Sequence, residues 1–300
     1  MDKAMNRWQI AGQFMRVIPD VRGSDRLLAK LRGPGVPTRL GRGPTQIALR
    51  TGSKVEVEIE ADGSFESLYF AQYRDPALVP ILEATLRPGD RFFDVGANIG
   101  IYSLWAAHLV GPAGGVVSFE PSPLTRSWLL NLIKQAGLDN ITVDSRALSS
   151  GVSDRLLQIT PAASGLSSIV DEMPADPAGC VSVSTVALDD VVQTYGAPSL
   201  VKVDVEGHEE AVVAGMSTTL STSRPVVVFE SPDTVGRIGS TDRIAKIFAG
   251  HSYGVFALTT KGLKPFGVAR SHNYVALSLP HHDEIFRRLK TTKFRRNQNC

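Results

Sequence analysis

Short apolar runs and segments with helical spacing alternate through the middle of the chain. The apolar runs predict buried strands at 91–95, 116–119, 141–145, 200–204 and 225–230. Apolar residues at helical spacing predict helices at 100–110, 123–136, 187–195 and 208–220. Because strands that alternate with helices usually lie parallel in one sheet, the pattern predicts an α/β fold with helices on both faces of a largely parallel sheet.

The pattern changes toward both ends of the chain. Before the first strand it predicts short helices at 8–18 and 27–31, an antiparallel β unit within 45–69 and a helix at 76–86. Two further apolar stretches, 156–160 and 181–185, predict an additional hairpin. After residue 231 the pattern predicts a helix at 242–249 and two antiparallel strands at 253–259 and 273–279.

These changes divide the chain into three parts. Residues 1–75 form an N-terminal helical and β-hairpin extension, residues 76–280 the main domain, and residues 281–300 a basic C-terminal tail. The main domain contains every predicted parallel strand, so we expect the functional site there.

The first predicted strand ends in a glycine-rich turn, Asp94-Val95-Gly96-Ala97-Asn98-Ile99-Gly100. Gly96 permits a positive φ or a close backbone approach, and Gly100 lets the next helix pack tightly on the sheet. The spacing differs from the dinucleotide fingerprint G-x-G-x-x-G, so a pyrophosphate cradle is not the first choice. Asp94 would repel a phosphate but can accept hydrogen bonds from a cationic amino-acid group. The turn therefore favours a positively charged adenosyl ligand over an ordinary strand-to-helix connection.

The second predicted strand ends on Glu120, which lies 24 residues after Gly96. An acid at this place can accept hydrogen bonds from both ribose hydroxyls of an adenosine group. In the alternative interpretation Glu120 caps the next helix, which Pro121 and Pro123 open. Asn140 precedes the third strand, where it either lies beside the adenine or caps a turn.

A second group of candidate residues follows the fourth and fifth strands: Asp204, Glu206, His208 and Glu209, then Glu230. Ligands bind at the carboxyl edge of open α/β sheets, so this position favours an active site over acids that only match a helix dipole. Asp204 and Glu230 could orient a hydroxyl, take its proton, or hold a divalent cation with His208 or Glu206. We do not favour the metal. His208 is the preferred base because the unperturbed pKa of histidine is about 6.5.

Three motifs together resemble the FkbM family of class I S-adenosylmethionine-dependent methyltransferases. They are Asp-Val-Gly-Ala-Asn-x-Gly at 94–100, Phe-Glu-Pro at 119–121 and Lys-x-Asp-x-Glu-Gly-x-Glu at 202–209. The resemblance extends from about Tyr73 to Glu230. It implies a Rossmann-like class I methyltransferase fold with a mostly parallel seven-stranded sheet, to which the N-terminal helical and antiparallel β extension is added.

The resemblance also implies the cofactor and the residues that bind it. The cofactor would be S-adenosyl-L-methionine, bound by Asp94, Gly96, Asn98, Gly100, Glu120, Pro121, Ala147 and Asp204. The catalytic candidates are His208, Asp204, Glu206 and Glu230. The expected reaction is methylation of a hydroxyl on a sugar, glycan or secondary metabolite.

Two other functions stay open at this point. A nicotinamide-dependent oxidoreductase could use Glu120 to bind its ribose, although the glycine spacing argues against it. A nucleotide-binding module without turnover would keep the same sheet and a similar acidic cluster.

Composition and charge argue against several classes of protein. With 43% hydrophobic and 21% charged residues and a net charge of +2, the chain is typical of globular proteins and shows no sign of a nucleic-acid partner. Cys180 and Cys300 offer neither a disulfide framework nor a zinc cluster. Charged residues interrupt the opening segment, and no apolar run approaches the ~20 residues of a membrane span. We therefore expect a cytoplasmic protein, and the resemblance to the FkbM family implies that its acceptor is a small molecule or a glycan.

The C-terminal segment is strongly basic. Residues 287–296 contain no acid and six basic residues: Arg287, Arg288, Lys290, Lys293, Arg295 and Arg296. This charge predicts a weak electrostatic contact with an anionic partner such as a membrane surface, the alternative being a solvated tail. The sequence does not indicate an oligomeric state.

Overall fold

The structure is a computed structural model that describes residues 43–49, 51–65, 68, 78–160, 163–170, 179–259, 261–279, 281–292 and 294. The helices predicted at 8–18 and 27–31 lie outside the described residues. So do the basic residues Lys293, Arg295 and Arg296.

Strands and helices alternate along the described chain as the apolar pattern predicts. The strands are β1 (Thr45–Ala48), β2 (Lys54–Val57), β3 (Arg91–Val95), β4 (Gly115–Phe119), β5 (Ile141–Asp144), β6 (Ala147–Ser149), β7 (Ser153–Gln158), β8 (Ser168–Val170), β9 (Cys180–Ala187), β10 (Leu200–Val203), β11 (Val226–Glu230), β12 (Gly254–Thr259), β13 (Gly262–Pro265) and β14 (Asn273–Leu277). The α-helices are α1 (Val79–Thr85), α2 (Ile101–Val110), α3 (Pro123–Ala136), α4 (Leu188–Tyr195), α5 (Glu209–Ala214), α6 (Ser217–Thr222), α7 (Ser240–Gly250) and α8 (Asp283–Lys290).

The large sheet has the spatial order β13-β12-β14-β11-β10-β3-β4-β5 within the described residues. The five strands from β11 to β5 run parallel, and β14 is antiparallel to both β11 and β12. Every residue of β10 is buried, because helices cover both faces of the sheet. The predicted parallel strands and the antiparallel pair that follows them are confirmed.

The sheet contains one strand more than the seven that were predicted. Strand β13 pairs with β12 at the edge and buries Leu263. Its sequence, Gly-Leu-Lys-Pro, ends in a proline and is too short to show alternation. Apolar pattern alone therefore could not identify it.

The single helix predicted at 208–220 is two helices in the structure, α5 and α6. The carboxylate of Asp189 accepts hydrogen bonds from the backbone N–H groups of Thr218 and Thr219, each at 2.8 Å. These bonds satisfy the first turn of α6 from outside the helix, so a new helix begins there. The Asp189 backbone N–H also donates to the Gly215 carbonyl, at 3.0 Å.

A second sheet of four strands, in the order β6-β9-β7-β8, accounts for the additional hairpin. Strands β7 and β9 pair antiparallel, as predicted, while β8 and β6 extend the pairing on either side. The connection between β7 and β8 contains residues 163–167, which lie at the carboxyl edge of the large sheet.

The described part of the N-terminal extension packs against the main domain. Strands β1 and β2 form an antiparallel hairpin that buries Ile47 and Val55. The side chain of Gln135 in α3 bonds to both backbone groups of Glu56, accepting from its N–H at 2.6 Å and donating to its carbonyl at 3.1 Å. The hairpin thus shares a core with α3, and the division at residue 75 stays a prediction.

Helix α8 places an apolar face against the core and a basic face in solvent. Leu289 and Phe294 are each 1% exposed, whereas Arg287 and Arg288 form ion pairs with Asp283 and Glu284, one helical turn earlier. None of the described helices is both long enough and apolar enough to span a membrane.

We expect Leu289→Ala to lower the free energy of unfolding by about 2 to 5 kcal/mol, because it empties a fully buried position. Urea denaturation monitored by circular dichroism would measure this loss. The exposed Arg287→Ala serves as the matched control in the same helix and should change stability by about 0.5 kcal/mol or less. Equal stability of the two variants would contradict the packing of α8.

The electrostatic role of the basic segment is a separate prediction. Truncation after Phe286 would also remove Leu289 and Phe294 from the core, so neutralisation of exposed charges is the better test. Arg287→Gln combined with Arg288→Gln should weaken binding to anionic phospholipid vesicles more at low salt than at high salt. Equal vesicle binding by wild type and variant at low salt would indicate that the basic segment is solvated and does not bind an anionic partner.

Candidate active site

The turn after β3 brings two strand ends into unusually close contact. Gly96 has φ of 74°, and a Cβ built on it would lie 1.8 Å from the carbonyl oxygen of Asp204. The N–H groups of Gly96 and Ala97 both donate to the Phe119 carbonyl at 3.1 Å. Glycine is required at position 96 because any side chain would push β10 away from the turn.

Asn98 connects this turn to Glu120. Its φ of 51° is in the left-handed region, which asparagine tolerates better than most residues. In this conformation its side-chain oxygen accepts from the Ile99 N–H at 2.6 Å, and its own N–H donates to the Glu120 carboxylate at 2.8 Å.

Glu120 is 7% exposed and lies at the end of β4. One carboxylate oxygen accepts from Asn98 and the other accepts from the Ser122 N–H at 2.9 Å. Burial raises the pKa of Glu120 to about 7, although these two bonds and the nearby positive charges oppose the shift. Each oxygen keeps a further acceptor position, so the geometry fits the two hydroxyls of a ribose.

Beneath the turn, Lys202 connects two carboxylates. Its Nζ lies 3.2 Å from Asp94 and 3.3 Å from Asp204, and it donates to the Gly96 carbonyl at 3.0 Å. Burial alone would lower the pKa of Lys202, but attraction to the two carboxylates outweighs it and raises the pKa. Lys202 is the first residue of the third motif, and the sequence alone predicted no role for it.

The position of Asp94 differs from the expected one. Its side chain is fully buried, and its second oxygen accepts from the Ser103 hydroxyl at 2.6 Å. Asp94 lies against Lys202 and is absent from the cavity lining, so direct hydrogen bonding to a ligand does not fit this placement. The reason is that Lys202, one strand away, supplies the positive charge that Asp94 was expected to find in the ligand.

Gly100 allows two helices to pack closely and does not line the cavity. Its φ is 86°, and a Cβ there would lie 2.3 Å from the Cδ1 atom of Leu129. The glycine lets α2 begin close to α3, whereas the sequence predicted close packing on the sheet and a contact with the cofactor, and Gly100 is outside the cavity lining. Asn140 donates from its amide to the carbonyls of Ala107 and Gly111, each at 2.9 Å, and so caps the end of α2.

The ends of β10 and β11 form an acidic cluster, as the sequence analysis expected. Among the described residues, Asp204, Glu206 and Glu230 each offer a carboxylate oxygen, and these atoms lie within 4.8 Å of one another. The imidazole of His272, just before β14, pairs with Glu230. Sequence analysis missed His272 because only the antiparallel pairing of β14 with β11 brings it to this edge.

The three carboxyl groups differ in protonation. Burial would raise the pKa of Asp204, but the charge of Lys202 and a hydrogen bond from Glu230 lower it. Burial and the nearby negative charges raise the pKa of Glu206 to about 8 and shift the pKa of Glu230 upward as well. Lys202 therefore favours the ionised form of Asp204, whereas burial favours the protonated forms of Glu206 and Glu230.

The same carboxylates are the residues that could hold a divalent cation. Oxygen ligands suit Mg²⁺ and Ca²⁺, and a cation would displace the protons that Glu206 and Glu230 otherwise carry. Of the two third ligands considered from the sequence, the structure brings Glu206 into the group and leaves His208 out of it.

His208 lies beside the second sheet. Its Nε2 atom is 2.9 Å from the Ser149 hydroxyl, in β6, and the residue is outside the cavity lining. The next residue, Glu209, is 1% exposed and accepts from the N–H groups of Val205 and Gly207 at 3.1 to 3.2 Å. Glu209 thus stabilises the loop that presents Glu206, and the role of His208 as the base stays a prediction.

A cavity at the carboxyl edge of the large sheet joins these parts. Seven of the predicted site residues are in its lining: Gly96, Asn98, Glu120, Pro121, Ala147, Asp204 and Glu206. The second sheet and its connection contribute a wall that the sequence analysis did not expect: Leu157, Ser164, Gly165, Ser167 and Ile169.

A family model described as the methyltransferase FkbM domain matches residues 94–255, slightly more than half of the chain. The chain belongs to the FkbM methyltransferase family. The resemblance drawn from the three motifs is thereby confirmed, and with it the class I methyltransferase fold. Residues 43–65, which pack on this domain, lie before the matched region.

Two curated relatives are each 32% identical to the chain. One is the 31-O-demethyl-FK506 methyltransferase FkbM of Streptomyces tacrolimicus, aligned over 202 residues, which are 57% of this chain and 75% of that protein. The other is the hexuronic acid methyltransferase AglP of Haloferax volcanii, aligned over 142 residues, which are 46% of this chain and 55% of that protein.

Among solved structures, a methyltransferase FkbM from Methylobacillus flagellatus KT is 16% identical, with a TM-score of 0.42. That match covers 72% of this chain and 55% of the other. The family assignment rests on the sequence matches.

Proposed function

We propose that the protein transfers a methyl group from S-adenosyl-L-methionine to a hydroxyl oxygen of a sugar, glycan or secondary metabolite. The observation that carries the proposal is the shared cavity, in which Glu120 and the glycine turn lie at one part and Asp204 at another. The names of both curated relatives support it, since one methylates a demethylated FK506 and the other a hexuronic acid.

The cavity residues fit the cofactor in three respects. Glu120 has acceptor capacity left for ribose hydroxyls. Leu148 and Ile169 provide apolar surface for a base. Asp204, held ionised by Lys202, can face a positive charge. When bound, the cofactor supplies an electrophilic methyl group on a sulfonium, and the acceptor oxygen displaces a neutral thioether.

The chain's own residues would orient the acceptor and manage its proton. Asp204 can accept a hydrogen bond from the acceptor hydroxyl and turn its oxygen toward the cofactor, which gives the near-attack geometry that accelerates transfer. The hydroxyl proton must leave as the new carbon–oxygen bond forms. His208 is the base expected from the sequence, and His272 beside Glu230 is the imidazole that the structure adds to the acidic cluster.

A methyl-transfer assay tests the proposed function. The protein is incubated with S-adenosylmethionine and a panel of sugars, uronic acids and hydroxylated metabolites, and mass spectrometry detects products that have gained one methyl group in place of hydrogen. A reaction on at least one hydroxyl acceptor is expected, with Glu120→Ala as the impaired control.

Calorimetry separates the two other functions. We expect S-adenosylmethionine and S-adenosylhomocysteine to bind and NAD⁺ and NADH not to bind. Binding of NADH alone would favour the oxidoreductase. Tight binding of adenosylmethionine without turnover of any acceptor would favour a silent module.

A further inference from the structure

Asp62 is a buried carboxylate in the N-terminal extension, outside the region that the family model matches. It is 2% exposed. Its two oxygens accept three hydrogen bonds: from the Ser64 N–H at 2.8 Å, the Ser164 N–H at 2.8 Å and the Ser164 hydroxyl at 2.9 Å. Two of the three come from a residue 102 positions later, so the carboxylate joins two distant parts of the chain.

The partner of Asp62 belongs to the wall of the cavity. Residues 163–167, which we call the covering segment, lie in the connection between β7 and β8 of the second sheet, and Ser164, Gly165 and Ser167 line the cavity. The Ser164 hydroxyl also lies 3.3 Å from the side-chain oxygen of Asn98. The Asn98 N–H donates to Glu120, the residue predicted to bind the ribose. A series of contacts therefore connects Asp62 to Glu120 through Ser164 and Asn98.

The covering segment has few other polar anchors among the described residues. Thr160 donates from its N–H to the Ser167 hydroxyl and from its own hydroxyl to the Leu166 carbonyl, both at 3.2 Å. Thr160 lies just beyond β7, so these bonds hold the segment to its own sheet. Ser164 is held from the N-terminal extension by Asp62 and by the Ser64 hydroxyl, which lies 3.2 Å from the Ser164 hydroxyl, and Asn98 is its neighbour in the glycine turn.

We propose that Asp62 is a positioning residue that fixes the covering segment as one wall of the cofactor cavity. The N-terminal extension is then a part of the cofactor site, although Asp62 itself is not in the cavity lining. The inference rests on the proposed function in one respect, that the cavity binds S-adenosylmethionine. It predicts that cofactor affinity depends on a residue that does not touch the cofactor.

The test measures S-adenosylhomocysteine binding by calorimetry for wild type, Asp62→Ala and Asp62→Asn. Asp62→Ala should raise the Kd about tenfold or more, because the wall must be ordered at the expense of binding free energy. Asp62→Asn keeps the size of the side chain and one acceptor oxygen, so an intermediate Kd is expected. A residue that only fills space would instead give the Asn variant wild-type affinity.

The matched control is Asp154→Ala in the same small sheet. Asp154 accepts a hydrogen bond from the Ser184 hydroxyl at 3.0 Å, but this pair is exposed and neither residue lines the cavity. Removal of this carboxylate–serine bond should leave the Kd unchanged. A loss of affinity in Asp154→Ala as large as that in Asp62→Ala would overturn the proposal.

Hydrogen–deuterium exchange provides a readout that does not require cofactor binding. In Asp62→Ala, and to a smaller extent in Asp62→Asn, the amides of residues 163–167 should exchange faster than in wild type while those of β3 and β10 stay protected. Unchanged exchange in the covering segment, or an unchanged Kd in a folded Asp62→Ala, would overturn the inference alone. Failure of the wild type itself to bind adenosylhomocysteine would overturn the proposed function and the cofactor role of Asp62 together.

Discussion

Asp204→Asn is expected to lower the turnover number by about a hundred- to ten-thousandfold, the range seen when a group that assists proton transfer is removed. Asp204 lines the cavity and Lys202 favours its ionised form, whereas an amide cannot supply the same negative charge. Steady-state kinetics with one accepted substrate would measure kcat and KM. Adenosylhomocysteine binding by calorimetry would show whether the variant also loses cofactor affinity.

Two histidine variants determine which imidazole contributes to proton removal from the acceptor hydroxyl. If His208 is the base, His208→Ala should bind the cofactor normally and lose activity in the same range as Asp204→Asn. If orientation by Asp204 dominates, His208→Ala stays active, and His272→Ala shows whether the imidazole beside Glu230 contributes. Wild-type turnover in both Asp204→Asn and His208→Ala would rule out the acidic cluster as the catalytic group.

Removal of divalent cations with a chelator tests whether the acidic cluster binds a metal that is needed for activity on the same substrate. Activity that vanishes with EDTA and returns with Mg²⁺ would identify Asp204, Glu206 and Glu230 as ligands. In that case His208 is not the sole base, because a metal can lower the pKa of the acceptor hydroxyl. Activity that persists in EDTA would favour the protonated arrangement of the carboxyl groups.

Glu120→Ala is expected to weaken cofactor binding about ten- to a hundredfold, since a hydrogen bond to a charged group is worth about 1.5 to 3 kcal/mol. The protein should stay folded, because burial of this carboxylate is itself unfavourable. Calorimetry with adenosylhomocysteine measures the loss. Unchanged affinity would remove Glu120 from the cofactor site.

Cofactor affinity should also depend on pH through Glu120. Ribose hydroxyls donate hydrogen bonds to the ionised Glu120 carboxylate. In the protein without cofactor the pKa of Glu120 is about 7, so this carboxyl group becomes protonated at lower pH. Affinity should therefore be highest above pH 7 and fall by about tenfold for each pH unit well below it. Glu120→Gln, which cannot ionise, should bind more weakly and show a flat profile over the same range.

The stability of the free protein should respond to the same group in the opposite direction. The pKa of Glu120 is raised from an unfolded value of 4.5, so its contribution to stability is present below pH 4.5 and is lost as pH rises through about 7. Acidification from pH 7 toward pH 5 should therefore favour the folded state at this residue while it weakens the cofactor complex.

Much of the fold followed from local pattern. The apolar runs of β3, β4, β10 and β11 are buried on both faces, so their composition alone distinguishes them from amphipathic helices. Helix α3 could be placed because Ser122 caps it, Pro123 opens it and Gly137 ends it. The break between α5 and α6 could not be predicted from local pattern, because the side chain that caps α6 is Asp189, which lies on another helix.

The sequence by itself determined which residues end the parallel strands, and hence that Gly96, Glu120 and Asp204 meet at one edge. Parallel strands in register bring their carboxyl ends together whatever the details of packing. Tertiary structure alone decided the charges and the walls of the site. Lys202 forms an ion pair with Asp94 from a neighbouring strand, and Asp62 accepts hydrogen bonds from Ser164, 102 positions later. Such contacts depend on distances between elements, which no local pattern of apolar and polar residues encodes.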